Sequence, residues 1–247
     1  MAASITLGFR EIRDVIILSL DTTTRAGSAA VLRGASVLAE IAGDGSRTHG
    51  ERLPADLVRV LELAAVRLTD VERFAVAAGP GSFTGLRIGI ATVQGLAMAS
   101  GRLVVPVSTL EALARAGASE GRPVGAWMDA QRGEVFAALY APDGGGVLVA
   151  PVSARPAAVL DAWSSALEGR EAVLVGDGAV RYAGAIQASL GAGASVVAPP
   201  PLAGIIGRIA ADHPDRAVLP HAVIPIYIRK PDAELARDRR GIGGRGV

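Results

Sequence analysis

The chain has 247 residues, half of them hydrophobic, with a formal net charge of +1 and no cysteine. That length carries one large domain or two lobes, and the apolar content excludes disorder over most of it. Composition also excludes disulfides, a thiol nucleophile and thiolate metal sites, while near-neutral charge argues against a dedicated nucleic-acid surface and leaves room only for a local patch. Residues 1–14 contain Arg10, Glu11, Arg13 and Asp14 and no signal-like apolar segment; they read as a disordered extension. No apolar run reaches the roughly 18 residues of a membrane span, so a cytoplasmic location without membrane contact is expected. Residues 15–20 form a continuous apolar run ending on Asp21: a buried strand with a carboxylate at its end. Thr22, Thr23, Thr24 and Gly27 make a polar turn, and two further short strands, 28–32 and 36–42, complete an antiparallel meander.

An amphipathic helix follows. Thr48 and Glu51 have capping-box spacing, and Leu53, Leu57, Val60, Leu61 and Ala64 share one face. Pro54 implies a start near Leu53 or a kink there. Residues 74–78 read as a buried strand, stopped by Gly79-Pro80-Gly81. Ser82 or Thr84 then caps a helix in which Gly85, Gly89, Ala91, Gly95 and Ala99 recur every three to four residues. Each interior glycine costs about 1 kcal/mol relative to alanine, so this bare flank implies a close approach. Three occupants remain open: the domain's own interior, a phosphate at the helix N-terminus, or a second helix.

After a strand (104–107) and a helix (109–117), the pattern starts again. A strand, 124–129, ends on Asp129, a short polar turn follows, and strands 135–140 and 147–152 precede alternating helices and strands to residue 212. The repeat implies two α/β lobes, residues 15–107 and 108–231, each a mixed sheet flanked by helices. Residues 223–228 read as an extended edge segment, and 232–247 as a disordered arginine- and glycine-rich tail.

Chemistry is sparse. Asp21 with Thr22, Thr23, Gly81 and Ser82 forms a candidate phosphate or nucleotide site, with Asp21 holding Mg²⁺ through water. The same carboxylate equally suits a turn that bonds its own backbone amides. Asp129 is the mirrored candidate. Lys230 is the only lysine, which removes the GxxxxGK phosphate loop, and no histidine has a partner at i, i+4. The spacing around Ser82 is not that of a nucleophile elbow, so no catalytic residue and no metal ligand is assigned.

The stretches 17–24 and 79–89 resemble the TsaB (YeaZ-like) family, as do His49 with Leu53-Pro54, residues 129–135, 175–179 and 225–229. The resemblance implies a two-lobed actin/Hsp70/sugar-kinase-like (ASKHA) fold. It also implies a non-catalytic dimerisation subunit for threonylcarbamoylation of the tRNA adenosine beside the anticodon. The partners implied are a catalytic paralogue, TsaD, and a small ATPase, TsaE, with tRNA contacted through the complex and a homodimer when the chain is alone. No cofactor is required, and weak ATP or ADP binding is compatible with it. The paralogue's two metal-binding histidines correspond here to His49 and Leu53, and leucine ligates nothing. The expected interface joins Leu53, Leu57, Val60 and Leu61 of the first helix to Gly85, Ile88, Gly89, Thr92, Gly95 and Leu96 of the second. The competing readings are an ATPase or kinase of the same fold and a glycoprotease-like metallopeptidase.

Overall fold

The computed structural model describes residues 14–229; the expected tail and all but the last residue of the expected extension lie outside them. Strands β1 (Ile16–Asp21), β2 (Ser28–Arg33), β3 (Ser36–Ala42), β4 (Arg73–Gly79) and β5 (Leu103–Ser108) form one sheet in the order β3-β2-β1-β4-β5. Strands β6 (Val124–Asp129), β7 (Val135–Tyr140), β8 (Val147–Ala154), β9 (Ala172–Val175) and β10 (Ala194–Val197) form the second, in the order β8-β7-β6-β9-β10. In each sheet the first strand pairs antiparallel with the second and parallel with the fourth. The repeat seen as pattern is thus a repeat of topology, strand for strand, and the architecture is the expected α/β one.

Helices fill three layers. On the outer face of the first sheet lie α1 (His49–Leu63) and α2 (Phe83–Ser100). On the outer face of the second lie α4 (Pro156–Leu167), the short α5 (Asp177–Arg181) and α6 (Ala183–Leu190). Between the sheets are α3 (Thr109–Ala116) and α7 (Ala203–Asp212), whose leucines and isoleucines join both inner faces in one core.

The position of α7 corrects the expected division at residue 107. Although it follows β10, it packs on β1 and β2. Buried Ser19 and Ser28 on those strands need partners and find them at its start. Ser19 Oγ donates to the Ala203 carbonyl at 2.6 Å, and Ser28 Oγ accepts from the Leu202 and Ala203 amides at 3.1 and 2.9 Å. The chain then stays on the first lobe. Val218 bridges Val104, and Gln94 Nε2 donates to the carbonyls of Pro220 and Val223. The extended segment 223–228 makes no ladder; its backbone contact with β4 is a single bond from the Ile226 amide to the Ala78 carbonyl. The first lobe is therefore completed by residues 202–226.

Local chemistry explains the two helices that frame the sites. Glu51 accepts from the Thr48 amide and hydroxyl, so α1 begins at His49 and runs through Pro54. Ser82 caps α2 by accepting from the Gly85 amide at 3.3 Å. Among the described residues, no helix is long and apolar enough to cross a membrane.

Candidate functional site

Two concave features stand out. The first is a cleft of about 790 Å³ between the lobes. The β1–β2 turn, the 80–86 stretch, the Asp129–Arg132 turn and the segment 226–229 form its walls. Of the five residues expected to bind phosphate, Thr23, Gly81 and Ser82 line this cleft, while Asp21 and Thr22 are buried; the polar groups of the set are bonded within the chain. Asp21 Oδ1 accepts from the Thr23 amide at 2.8 Å and the Thr23 hydroxyl at 2.6 Å, and Oδ2 accepts from the Thr24 hydroxyl. Thr22 Oγ1 donates to the Gly85 carbonyl, and the Ser82 amide donates to the Thr23 carbonyl at 2.9 Å. A Cβ on Gly81 would lie 2.5 Å from that of Thr23. The glycines admit the neighbouring turn where a phosphate was considered, and Asp21 serves the turn. Burial pushes the Asp21 carboxyl up; the threonine bonds and nearby His49 oppose this.

In the second lobe, Asp129 pairs with Arg181 at 2.5 Å and accepts from Gln131. Asp177 accepts from the amides of Asp129 and Gly178. Burial pushes the Asp177 carboxyl up against those bonds, with the Asp129 charge adding to the rise.

His49 sits in a cluster that sequence reasoning missed. Its Nε2 lies 2.9 Å from the Thr24 carbonyl and its Nδ1 2.9 Å from Arg52 Nη2. A carbonyl only accepts and a guanidinium only donates, so the ring is the neutral Nε2–H tautomer. Arg52, 4% exposed, also binds the Ala26 carbonyl and Asp56, fastening α1 to the β1–β2 turn. Burial first, then Arg52, depress the His49 pKa from 6.5, against the Thr24 bond. The unfolded chain therefore binds a proton that the folded chain refuses once pH drops below about 6.5. Stability is expected to fall over that window by up to about 1.4 kcal/mol per pH unit. Urea unfolding of the wild type and His49→Gln at several pH values reads this as the difference between the two slopes.

The second feature is an apolar groove of about 430 Å³ on the outer face of the first lobe. Leu57, Val58, Leu61 and Leu68 form one wall, Ala91, Thr92, Gly95 and Leu96 the other, and Leu18 lies beneath. Five of the ten expected interface residues are here: Leu57, Leu61, Thr92, Gly95 and Leu96. The other five are not. Leu53 and Val60, 3% and 0% exposed, point into the lobe's own core, because the stripe that meets the sheet is the one that must be buried. Gly85 and Gly89 lie under Thr22, and Ile88 lines the cleft. Of the three glycines expected at the interface, Gly95 is the one bare outward: a Cβ there meets nothing within 4 Å among the described residues outside its own helix turn. Val58, 56% exposed, and Leu68, 39% exposed, were not anticipated. For Val58 the signal was apolar content beyond one helical stripe; Leu68 lies in the turn after α1.

The family model described as "TsaD: tRNA N6-adenosine threonylcarbamoyltransferase" matches residues 37–170, just over half of the chain. The tRNA threonylcarbamoyladenosine biosynthesis protein TsaB of Escherichia coli is 37% identical over 142 residues, 53% of this chain and 57% of that protein. The solved structure of YeaZ from Pseudomonas aeruginosa superposes with a TM-score of 0.69 at 29% identity, covering 86% of this chain and 99% of that one. The chain belongs to the TsaB/YeaZ family. The curated TsaB relative is matched over little more than half of its own length. At the level of fold alone, the activator of the 2-hydroxyisocaproyl-CoA dehydratase from Clostridium difficile is similar, with a TM-score of 0.50, 13% identity, and 81% and 96% of the two chains covered. The fold is the expected two-lobed ASKHA one.

Within that family, the cleft and groove of this chain differ in chemical character. Around the cleft, polar groups meet polar groups of the same chain. Four residues after His49 stands Leu53, buried in the core. Among the described residues, no three histidine, aspartate or glutamate side chains are gathered in a way that would hold a metal ion. The groove is apolar on both walls and faces solvent.

Proposed function

We propose that the chain is a non-catalytic subunit of tRNA threonylcarbamoyladenosine synthesis that docks the catalytic TsaD paralogue through the α1–α2 groove. The observation that carries this reading is the groove itself: α1, α2 and the turn after α1 leave Val58, Leu68 and the bare Gly95 open to solvent beside half-buried Leu61. A stable interface buries about 1,200–2,000 Å² in total, which two helices per partner supply. Exposed apolar surface at about 25 cal/mol per Å² drives the association, and lost translational and rotational freedom offsets much of it. Alone, two copies pair through the same face, as an isologous dimer requires. A TsaE-like ATPase joins the pair, and tRNA is met in the assembly.

The names of the relatives and the matched family model support the pathway. The internally bonded cleft argues against the ATPase or kinase reading, because phosphate binding there would have to break the Thr22, Thr23 and Ser82 bonds. The test is co-purification with a TsaD paralogue, together with calorimetry against Mg-ATP. Expected are a stoichiometric complex for the wild type, its loss in Val58→Asp with unchanged folding, and no saturable heat from nucleotide. A Val58→Asp chain that still captures TsaD, or nucleotide turnover by the isolated chain, ends the proposal.

A further inference from the structure

Two stretches singled out in the sequence, 79–89 and 225–229, are brought together by the fold. Tyr227 stacks on Phe83 with ring centroids 5.5 Å apart and an interplanar angle of 31°. The Arg87 guanidinium lies 4.0 Å from the Phe83 centroid. The Ile226 amide fixes the segment to the Ala78 carbonyl, and a Cβ on Gly79, at φ +115°, would collide with the Ile226 carbonyl. Arg229 anchors the far end to Glu134 in the other lobe at 3.1 Å. The segment is thus held rigidly along the mouth of the cleft.

Pinning alone would be served better by buried rings. Phe83 and Tyr227 instead remain 38% and 40% exposed. Exposed Arg25 and Arg47 line the same cleft. Of the cleft's carboxylates, Asp129 is paired with Arg181, and Asp177 accepts two backbone amides. A rigid aromatic surface beside exposed guanidinium groups suits a ligand with planar π-faces joined by negative charge. That is the chemistry of single-stranded nucleic acid, where bases stack on aromatics and phosphates meet arginines.

We propose that the Phe83–Tyr227 stack, Arg87 against its Phe83 ring, and Arg25 and Arg47 of the cleft wall form a contact surface for an unpaired stretch of RNA. This rests on the reading that the chain works within a tRNA-modifying assembly, and it deepens that reading by giving this subunit its own contact with the substrate. Stacking needs a base free of its duplex, so single-stranded RNA is preferred over duplex. The near-zero net charge of the chain is compatible with such a local patch.

The test is fluorescence anisotropy of a short unstructured RNA and its duplex, titrated with the full chain without TsaD at several salt concentrations. Tyr227→Ala is expected to weaken single-strand binding about 5- to 100-fold, with Tyr227→Phe retaining it and Tyr227→Leu not. Replacing Arg25, Arg47 and Arg87 together with glutamine is expected to make the slope of log K against log salt shallower by about two, at about 0.7 per phosphate contact. Thermal melts accompany each variant. If Tyr227→Ala proves unfolded, the salt slope of the arginine variant decides. Wild-type affinity in the folded tyrosine and arginine variants, or equal affinity for duplex, overturns the proposal; a protein partner at this surface would give the first of these. TsaD co-purification by the same variants is expected to be intact, so failure here and failure of the groove are read separately.

Discussion

Replacing Gly95 with leucine is expected to raise the melting temperature of the isolated chain by about 2–4 °C and to abolish TsaD capture. The two effects have opposite signs because the residue faces outward. Outside its own helix turn, nothing among the described residues lies within 4 Å of a Cβ at this position, so the folded chain gains the difference in helix propensity, about 0.8–1 kcal/mol. A docked helix, in contrast, approaches through the gap that the missing side chain leaves. Filling that gap removes the close approach, and a central contact of this kind costs about 2 kcal/mol or more of binding, roughly 30-fold in affinity. Differential scanning fluorimetry and pull-down on one preparation check both halves. A stabilised variant that still binds TsaD would move the docking surface elsewhere.

On the same helix, Gly85→Ala and Gly89→Ala are expected to do the reverse. Propensity again favours alanine by about 1 kcal/mol, but both positions are buried under the β1–β2 turn. A methyl on Gly85 would meet the Thr22 carbonyl, and one on Gly89 the Thr22 hydroxyl that bonds the Gly85 carbonyl. Overpacking against backbone costs about 3 kcal/mol, which leaves a net loss of about 2 kcal/mol, so a fall in melting temperature of about 4–8 °C is expected for Gly85→Ala. Gly89→Ala is also expected to lower it, because the methyl displaces the buried Thr22 hydroxyl and breaks its bond to the Gly85 carbonyl. The leucine at 95 and the two alanines at 85 and 89 therefore report which glycines of one helix serve the fold and which serve a partner.

The candidate surfaces were partly legible for the same reason that they were partly misread. Glycine recurrence marked α2 as a helix of close approach, and its spacing alone kept interior, ligand and partner all open. The interior and an open groove divide the flank between them, because a helix of 18 residues presents its stripes to different neighbours. Leu53 and Val60 were grouped with Leu57 and Leu61 by a periodicity that identifies the apolar face. Periodicity does not say how far the sheet covers that face, and Val58, one residue outside it, is the more exposed. Asp21 had two readings of equal chemistry. The hydroxyls of Thr23 and Thr24, adjacent in sequence, decided for the turn. Arg52 gave no signal, since a buried arginine looks like any surface arginine until the Ala26 carbonyl and Asp56 are placed around it.

Strand and helix order, the twofold repeat, the caps at Thr48 and Ser82 and the poverty of reactive groups are all local or compositional, and each could be read residue by residue along the chain. Contacts between distant segments could not. Ser19 meets Ala203 across 184 residues and Gln94 meets Pro220 across 126, and neither side chain carries a sign of its partner. Long-range packing therefore set α7 on the first lobe, brought Tyr227 onto Phe83 and turned Gly95 outward. The physical reason is that hydrogen-bonding type and helical phase are fixed by the residue, whereas the neighbour that satisfies them is fixed by where the rest of the chain comes to lie.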